Sequence, residues 1–122
     1  MTKRELGMIM PPLALPVCIA GANIGGRPNY CTLAWFTMID DIPPMIGLVM
    51  AKERRTKEGI LENCTFSVNI PSTQMAAVTD YVGITSGHET DKSEVFKSFY
   101  GKLGTAPMIE ECPLTMECEL LK

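Results

Sequence analysis

Residues 52–56, with the sequence Lys-Glu-Arg-Arg-Thr, bring three cationic side chains and one hydroxyl together within five positions. They follow an apolar run and precede a helical pattern, so the cations fall at the start of a helix. Free backbone N–H groups and a partial positive charge at a helix N-terminus favour a phosphate, and Lys and Arg add charged donors. The segment predicts a phosphate site. A solvated basic turn is the alternative that these residues alone leave open.

A second candidate is residues 29–36, Asn-Tyr-Cys-Thr-Leu-Ala-Trp-Phe, where an amide, a thiol and a hydroxyl precede the single tryptophan of the chain. A planar heterocycle binds in such surroundings, because backbone and amide groups satisfy its polar edge while apolar side chains cover its faces. A core tryptophan on a strand that follows a polar turn is the alternative, and from these residues alone it is the more common case.

Several other chemistries are poorly supported. The single histidine, His88, lies in a glycine-rich loop, where a solvated role is the more common one. We find no nucleophile elbow, no carboxylate pair at catalytic spacing and no cluster with metal-ligand spacing. The glycines of residues 21–26 lead to a proline turn rather than a helix, which argues against a Rossmann dinucleotide site. We therefore expect no catalytic side chain and no metal.

Strand patterns dominate the elements that must position these residues. Short apolar or alternating runs between turn signals predict strands over residues 16–21, 30–37, 45–51, 65–70 and 114–120. Residues 45–51 are apolar throughout and should be covered on both faces. Residues 65–70 alternate without exception, which is typical of a strand with one wet face. The final strand should present Met116, Cys118 and Leu120 on one face and should lack a neighbour.

Two short helices complete this outline. Helical spacing predicts a helix over residues 56–63 with Thr56 as its N-cap and Ile60 and Leu61 as its apolar stripe. A second helix should start at Ser72 and continue to about Asp80. Five or six strands with short connections favour a mainly β fold, barrel-like and mostly antiparallel, with short flanking helices.

Composition narrows the class of protein. A length of 122 residues predicts a single domain over residues 1–122, and a net charge of −3 argues against a nucleic-acid partner. Prolines interrupt residues 6–20, so we expect neither a secretory leader nor a membrane span and place the protein in the cytoplasm. Five cysteines without a C-x-x-C pair should be reduced and mostly buried.

The candidate segments also occur in a familiar order. Residues 29–36, then Pro43-Pro44-Met45, then residues 52–56 ahead of a helix, residues 66–71, residues 80–87 and finally Asp91-Lys92 resemble the flavin reductase-like family, and flavoredoxins in particular. The resemblance runs from about Pro16 to the end of the chain. It implies an FMN-binding split β-barrel that works as a homodimer, with the flavin near the subunit interface.

The resemblance also implies roles for individual residues. The residues expected along the isoalloxazine ring and the ribityl chain, largely through backbone groups, are Asn29, Cys31, Thr32, Ala34 and Trp35. The residues expected at the phosphate are Lys52, Arg54 and Thr56, with Lys92 as a further partner. Members of the family usually continue beyond the point where this sequence stops. We therefore expect a barrel shortened at its C-terminal end, which a dimer partner completes, unless a piece is absent from the sequence.

Three functions follow as hypotheses. The first is an oxidoreductase whose FMN accepts electrons from a reduced nicotinamide or a protein donor, so that the protein needs no acid–base pair of its own. The second is a non-catalytic flavin-binding or dimeric interaction module of the same fold. The third takes Cys31 as a redox-active thiol, which would require a depressed pKa.

Overall fold

A computed structural model describes residues 1–121 of the chain. Its elements are β1 Cys18–Ile24, β2 Arg27–Leu33, β3 Phe36–Asp41, β4 Pro44–Leu48, α1 Arg55–Asn63, β5 Thr65–Ile70, α2 Ala76–Ile84, β6 Ser98–Phe99, β7 Met108–Ile109 and β8 Leu114–Glu119. The mainly β class with short helices is confirmed. Residues 1–121 contain eight strands, more than the five or six expected. The sequence did not predict β6 and β7, which have two residues each, and one predicted strand is divided into two.

The central element is a four-stranded antiparallel sheet in the order β2-β1-β5-β8. Strand β1 lies inside it and is buried on both faces. Cys18 and Ala20 point into one hydrophobic cluster with Cys31, Leu33, Phe66 and Val68, whereas Ile19 points into a second cluster with Tyr30, Val82 and Phe96. Successive residues of a strand face opposite sides, so this one strand supports both cores.

Strand β5 occupies the predicted residues, but its expected wet face is wrong. The polar residues Thr65, Ser67 and Asn69 are all buried. The segment around β7 covers them: Asn69 accepts a hydrogen bond from the backbone N–H of Ile109 at 3.0 Å, and Ser67 donates to the carbonyl oxygen of Pro107. The polar face of β5 is therefore a buried face whose side chains form hydrogen bonds, because buried polar groups need partners.

The strand predicted over residues 30–37 divides at Ala34 and Trp35. The first part belongs to β2 in the central sheet, and the second part becomes β3, which pairs only with β4 in a separate two-stranded sheet. The expectation that residues 45–51 are covered on both faces is also wrong. Strand β4 is half-buried, and Val49 beyond its end is exposed.

Helix α1 begins one residue before Thr56, which is therefore not its N-cap. The cap position belongs to Arg54, which makes no side-chain capping bond, while Thr56 lies buried in the first turn. The packing of α1 also differs from the predicted stripe, since Leu61 is exposed and Gly59 is buried. A side chain at position 59 would meet the carbonyl oxygen of Asn23, so the glycine lets α1 approach β1 closely.

Two further expectations need correction. Ser72 caps only a short 3-10 turn, Thr73–Met75, without a side-chain bond, and α2 follows directly. The last strand is not unpaired, since β8 pairs with β5 along its whole length. Over residues 1–121 the strands form one four-stranded and two two-stranded sheets and do not close into a barrel.

Candidate functional site

A cavity of about 290 Å³ lies where α1 begins, beside the end of α2 and the loop that follows it. We call it the basic cavity because Arg54, Arg55 and Lys92 line it, with Glu53 as its acidic member. The other lining residues are Cys31, Ala51, Thr56, Gly83, Ile84, Ser86 and Gly87. Three cations against one exposed carboxylate make the cavity suited to an anion.

Arg54 joins the two helices at this cavity. Its guanidinium donates a hydrogen bond to the carbonyl oxygen of Gly83 in the last turn of α2 at 2.8 Å. The first turn of α1 leaves backbone N–H groups without intrahelical partners, and these groups carry the positive end of the helix dipole. The guanidinium has further N–H donors, so it can serve the Gly83 carbonyl and an anion together.

Lys92 is the most buried cation of the cavity, with 2% of its surface exposed. Its ammonium group donates to the carbonyl oxygens of Thr85 at 2.8 Å and Val82 at 3.3 Å. Burial lowers the pKa of Lys92, and the nearby Arg54 charge lowers it further while Cys31 acts in the opposite direction. An anion in the cavity would favour the charged ammonium, because opposite charges stabilise one another in a site of low polarity.

Thr56 and Cys31 form the inner wall. The Thr56 hydroxyl is fully buried and accepts a hydrogen bond from the Asn29 side-chain amide at 2.8 Å. Burial raises the pKa of Cys31, while the Thr56 hydroxyl and the Arg54 and Lys92 charges oppose this shift. A raised pKa keeps the thiol protonated, which argues against the hypothesis of a redox-active thiolate at Cys31.

The loop after α2 comes close to the inner wall because it contains glycine. A Cβ atom at position 87 would lie 2.8 Å from the Asn29 side-chain oxygen and 3.0 Å from Cβ of Arg55. Neither neighbour can move freely, since Asn29 is held by Thr56 and the Arg55 atom adjoins the helix backbone. Gly87 thus brings the loop backbone to the cavity.

The structure gathers part of the predicted site. Cys31, Arg54, Thr56 and Lys92 line the basic cavity, and Asn29 lies behind Thr56. The other predicted residues lie outside the lining: Lys52 is exposed, Thr32 donates to the carbonyl oxygen of Thr79 at 2.6 Å, Ala34 is half-buried and Trp35 is 52% exposed. Arg55 was one of the three cations of residues 52–56 that predicted the site, but it received no role of its own. Sequence reasoning did not assign Gly83, Ser86 or Gly87 to the site, although the glycine-rich loop was the available signal.

The remaining polar candidates are His88 and the cysteines. His88 is exposed, and its Nε2 lies 4.0 Å from a Glu58 carboxylate oxygen. Across residues 1–121 no group of three or more His, Cys, Asp or Glu side chains is arranged to hold a metal ion. All five cysteines are free, and Cys18, Cys31 and Cys112 are buried. None of the helices described over the same residues has the length and apolar character that crossing a membrane requires.

The basic cavity of this mainly β fold lies at a helix start, which suits a phosphate-bearing ligand. Comparison with known proteins identifies the family: a model of the flavin reductase like domain matches residues 10–122. The chain therefore belongs to the flavin reductase-like family.

Two solved structures illustrate this membership. Flavoredoxin from Methanosarcina acetivorans shares 43% identity, with a TM-score of 0.90 over 98% of this chain and 66% of its own. An FMN-binding protein from Thermus thermophilus, solved with bound p-hydroxybenzaldehyde, shares 25% identity, with a TM-score of 0.88 over 100% of this chain and 71% of its own.

A curated relative gives no function. The uncharacterized protein YddH of Escherichia coli strain K12 is 33% identical over 98 residues, which cover 78% of this chain and 52% of YddH. The chain thus spans about half the length of this relative and about two thirds of the length of the flavoredoxin.

Proposed function

We propose that the chain binds FMN, with the phosphate in the basic cavity, and acts as an oxidoreductase or electron-transfer protein. The observation that carries this proposal is the convergence of Arg54, Thr56 and Lys92 on one cavity at a helix start. These groups suit a phosphate, since they combine charged donors with a hydroxyl and backbone N–H groups. The related structures, a flavoredoxin and an FMN-binding protein, agree with this ligand.

Each residue of the basic cavity would contribute to binding in a different way. The Arg54 guanidinium would donate to the phosphate while its bond to Gly83 fixes its position. Lys92 would supply a charge held at a defined place by two backbone carbonyls. An anchored phosphate orients the rest of the ligand, which lowers the entropic cost of presenting its reactive ring.

We place the flavin ring along the end of β2 and the break before β3, where Thr32, Ala34 and Trp35 lie. Backbone groups near Cys31 would bind the polar edge of the ring, and Lys52 would approach the phosphate from the rim. Bound FMN would supply the electron chemistry, taking electrons from NAD(P)H or a protein donor. The residues of the chain would bind, orient and tune it, so no acid–base pair is required.

We further propose that the protein is a cytoplasmic homodimer. Strands β3 and β4 pack Phe36, Ile46 and Leu48 against the first hydrophobic cluster. The apolar side chains in and beside these strands that remain exposed are Trp35, Met38, Ile39 and Ile42. Exposed apolar groups that lie together favour association, and a second copy of this chain is the partner we propose. The same exposed face supports the alternative function, a flavin-binding or interaction module without turnover.

The test begins with the visible absorption of the purified protein and titration with FMN and riboflavin. We expect a flavin spectrum that bleaches reversibly on reduction. The double variant Arg54→Ala, Thr56→Ala should lose FMN affinity by about 100-fold or more, from about 1.5–3 kcal/mol per bond to a charged group, and riboflavin affinity by much less.

Two results would contradict the proposal. Equal losses for the two ligands would remove the phosphate assignment. A colourless protein that takes up no FMN would favour the interaction module. The double variant Thr73→Ala, Lys97→Ala is the control, because both residues are exposed and lie outside the basic cavity.

A further inference from the structure

We propose that Asn29 is a positioning residue, which holds the Thr56 hydroxyl so that its proton points to the anion in the basic cavity. The inference rests on the proposed function, since it takes that anion to be the flavin phosphate. It gives Asn29 a role different from the ring and ribityl contacts that the family resemblance implies.

The two side chains form a buried pair between different elements. Asn29 comes from β2 and is 7% exposed, and Thr56 comes from the first turn of α1 and is 0% exposed. The side-chain nitrogen of Asn29 lies 2.8 Å from the Thr56 oxygen. Water has little access to either group, so the direction of this hydrogen bond is set by the protein.

The donors and acceptors of this pair determine where the Thr56 proton can point. An amide NH₂ group can only donate, so the Thr56 oxygen must be the acceptor in this bond. A hydroxyl carries one proton, and that proton cannot point back at a group that is itself donating. It remains available to the acceptors on the other side, which are the Cys31 sulfur and an anion in the basic cavity. A charged phosphate oxygen is a much stronger acceptor than a protonated thiol, so the bound anion takes this proton.

Gly87 keeps the amide in this place. The Asn29 side-chain oxygen lies 2.8 Å from the position that a Cβ atom at residue 87 would occupy. The glycine loop therefore packs against the oxygen side of the amide while Thr56 receives the nitrogen side. This packing holds the amide beside Thr56, with its nitrogen facing the hydroxyl.

Replacing the donor by an acceptor of the same shape tests the inference. In Asn29→Asp the carboxylate would accept the Thr56 proton and turn the hydroxyl away from the phosphate. We expect FMN affinity to fall by at least about tenfold more than riboflavin affinity, which is the size of one bond to a charged group. Asn29→Ala, which leaves the hydroxyl free to rotate, should lower the FMN-to-riboflavin affinity ratio by a few-fold only.

The new carboxylate of Asn29→Asp also repels the phosphate, so this repulsion must be measured apart from the turning of the Thr56 hydroxyl. Repeating Asn29→Asp in a Thr56→Val protein measures the repulsion alone. In Thr56→Val there is no proton to turn, so adding Asn29→Asp should change the affinity ratio only by the repulsion. We expect that change to be at least about fivefold smaller than in the wild-type background, as coupled neighbours require. Equal changes in both backgrounds would overturn the positioning role.

The variant Arg54→Ala separates a failure of the phosphate assignment from a failure of the positioning role of Asn29. If Arg54→Ala leaves the FMN-to-riboflavin ratio unchanged, the phosphate assignment itself fails. If Arg54→Ala lowers that ratio and Asn29→Asp lowers both affinities equally, the phosphate assignment stands and the positioning role is wrong. Thermal unfolding of each variant shows that it is folded, and Asn29→Ala decides the question if Asn29→Asp does not fold, since an unchanged ratio there also overturns the inference.

Discussion

The ammonium group of Lys92 donates a hydrogen bond to the carbonyl oxygen of Thr85, just beyond the end of α2, across 2.8 Å. A second bond runs to Val82 at 3.3 Å. Carbonyl groups in the last turn of a helix lack intrahelical partners and carry the negative end of the dipole, so a buried cation fits there. Lys92 thereby links the end of α2 to the basic cavity.

This relationship predicts the effect of Lys92→Met, which keeps the aliphatic stem and removes the charge. FMN affinity should fall by about 10- to 100-fold through loss of a charged bond to the phosphate, while riboflavin affinity changes much less. The free energy of unfolding should also decrease by about 1–3 kcal/mol, because carbonyl groups lose their partner. Fluorescence titration and urea unfolding measure the two effects.

Lys97→Met is the matched control, because Lys97 is an exposed lysine five positions later that pairs with Glu110 at 3.4 Å. Its effect on both quantities should be negligible, since exposed ion pairs contribute little. A Lys92→Met protein that binds FMN as tightly as the wild type would show that the ammonium group does not reach the phosphate.

Gly59→Ala should destabilise the protein although alanine favours helices. The new Cβ atom would meet the carbonyl oxygen of Asn23 and lie 3.0 Å from Cβ of Ala22, so α1 would have to move away from β1. Overpacking of this kind costs about 1–3 kcal/mol. FMN affinity should fall as well, because α1 carries Thr56 into the basic cavity.

Urea unfolding measures this prediction, with Glu62→Ala on the exposed side of the same helix as the control. Glu62→Ala should change the free energy of unfolding by less than about 0.5 kcal/mol. If Gly59→Ala were as stable as the wild type, the close approach of α1 to β1 would have no energetic importance.

The sequence predicted the secondary-structure elements better than it predicted what packs against them. The alternation in β5 identified a strand correctly, but it could not show that residues from the β7 segment, about 40 positions away, cover Asn69. Thr56 illustrates the same limit. Its residue type and position suggested an N-cap, whereas its actual partner, Asn29, lies 27 positions earlier in the chain. Local sequence patterns predict secondary structure, whereas the burial and hydrogen-bond partners of a polar side chain depend on residues far away in the sequence.

The basic cavity could be predicted only in part for the same reason. Residues 52–56 predicted a phosphate site through their composition and their position ahead of a helix. Four of the cavity residues come from that segment: Glu53, Arg54, Arg55 and Thr56. Lys92 joins them through the chain path after α2, which no spacing rule describes. Family resemblance was the signal that connected it to the others.

Asn69→Leu should be severely destabilising, because Asn69 connects three elements. Its amide donates to the carbonyl oxygen of Ile19 and to the Ser67 hydroxyl, both at 2.9 Å, and accepts from the N–H of Ile109 at 3.0 Å. Leucine has a similar volume but breaks all three of these buried hydrogen bonds. We expect a loss of about 2–5 kcal/mol.

Differential scanning calorimetry would measure this loss, with Thr115→Ala as the control. Thr115 lies directly opposite Asn69 in the β5–β8 register and is only half-buried. A small effect of Asn69→Leu would mean that the segment around β7 is held to the sheet by apolar packing alone.

The buried thiol of Cys18 predicts a loss of stability at alkaline pH. Burial, reinforced by the neighbouring Cys31, raises the pKa of Cys18 from 9.0 to about 12. The unfolded chain therefore releases this proton above pH 9 while the folded chain retains it. The contribution to stability is complete below pH 9 and decreases by about 1.4 kcal/mol per pH unit above it.

Cys18→Ala tests this prediction through the slope of the free energy of unfolding against pH, not through its value at one pH. Removing the side chain leaves a cavity and lowers stability at every pH, but it should also make the decline between pH 9 and 11 shallower by about 1.4 kcal/mol per unit. Other groups contribute equally to both proteins: burial raises the pKa of Cys112 to about 11 and steepens the decline, whereas the lowered pKa of Lys92 opposes it. Val68→Ala, which removes a buried side chain without a titrating group, should run parallel to the wild type. If the Cys18→Ala curve were parallel too, Cys18 would not retain its proton in the folded protein.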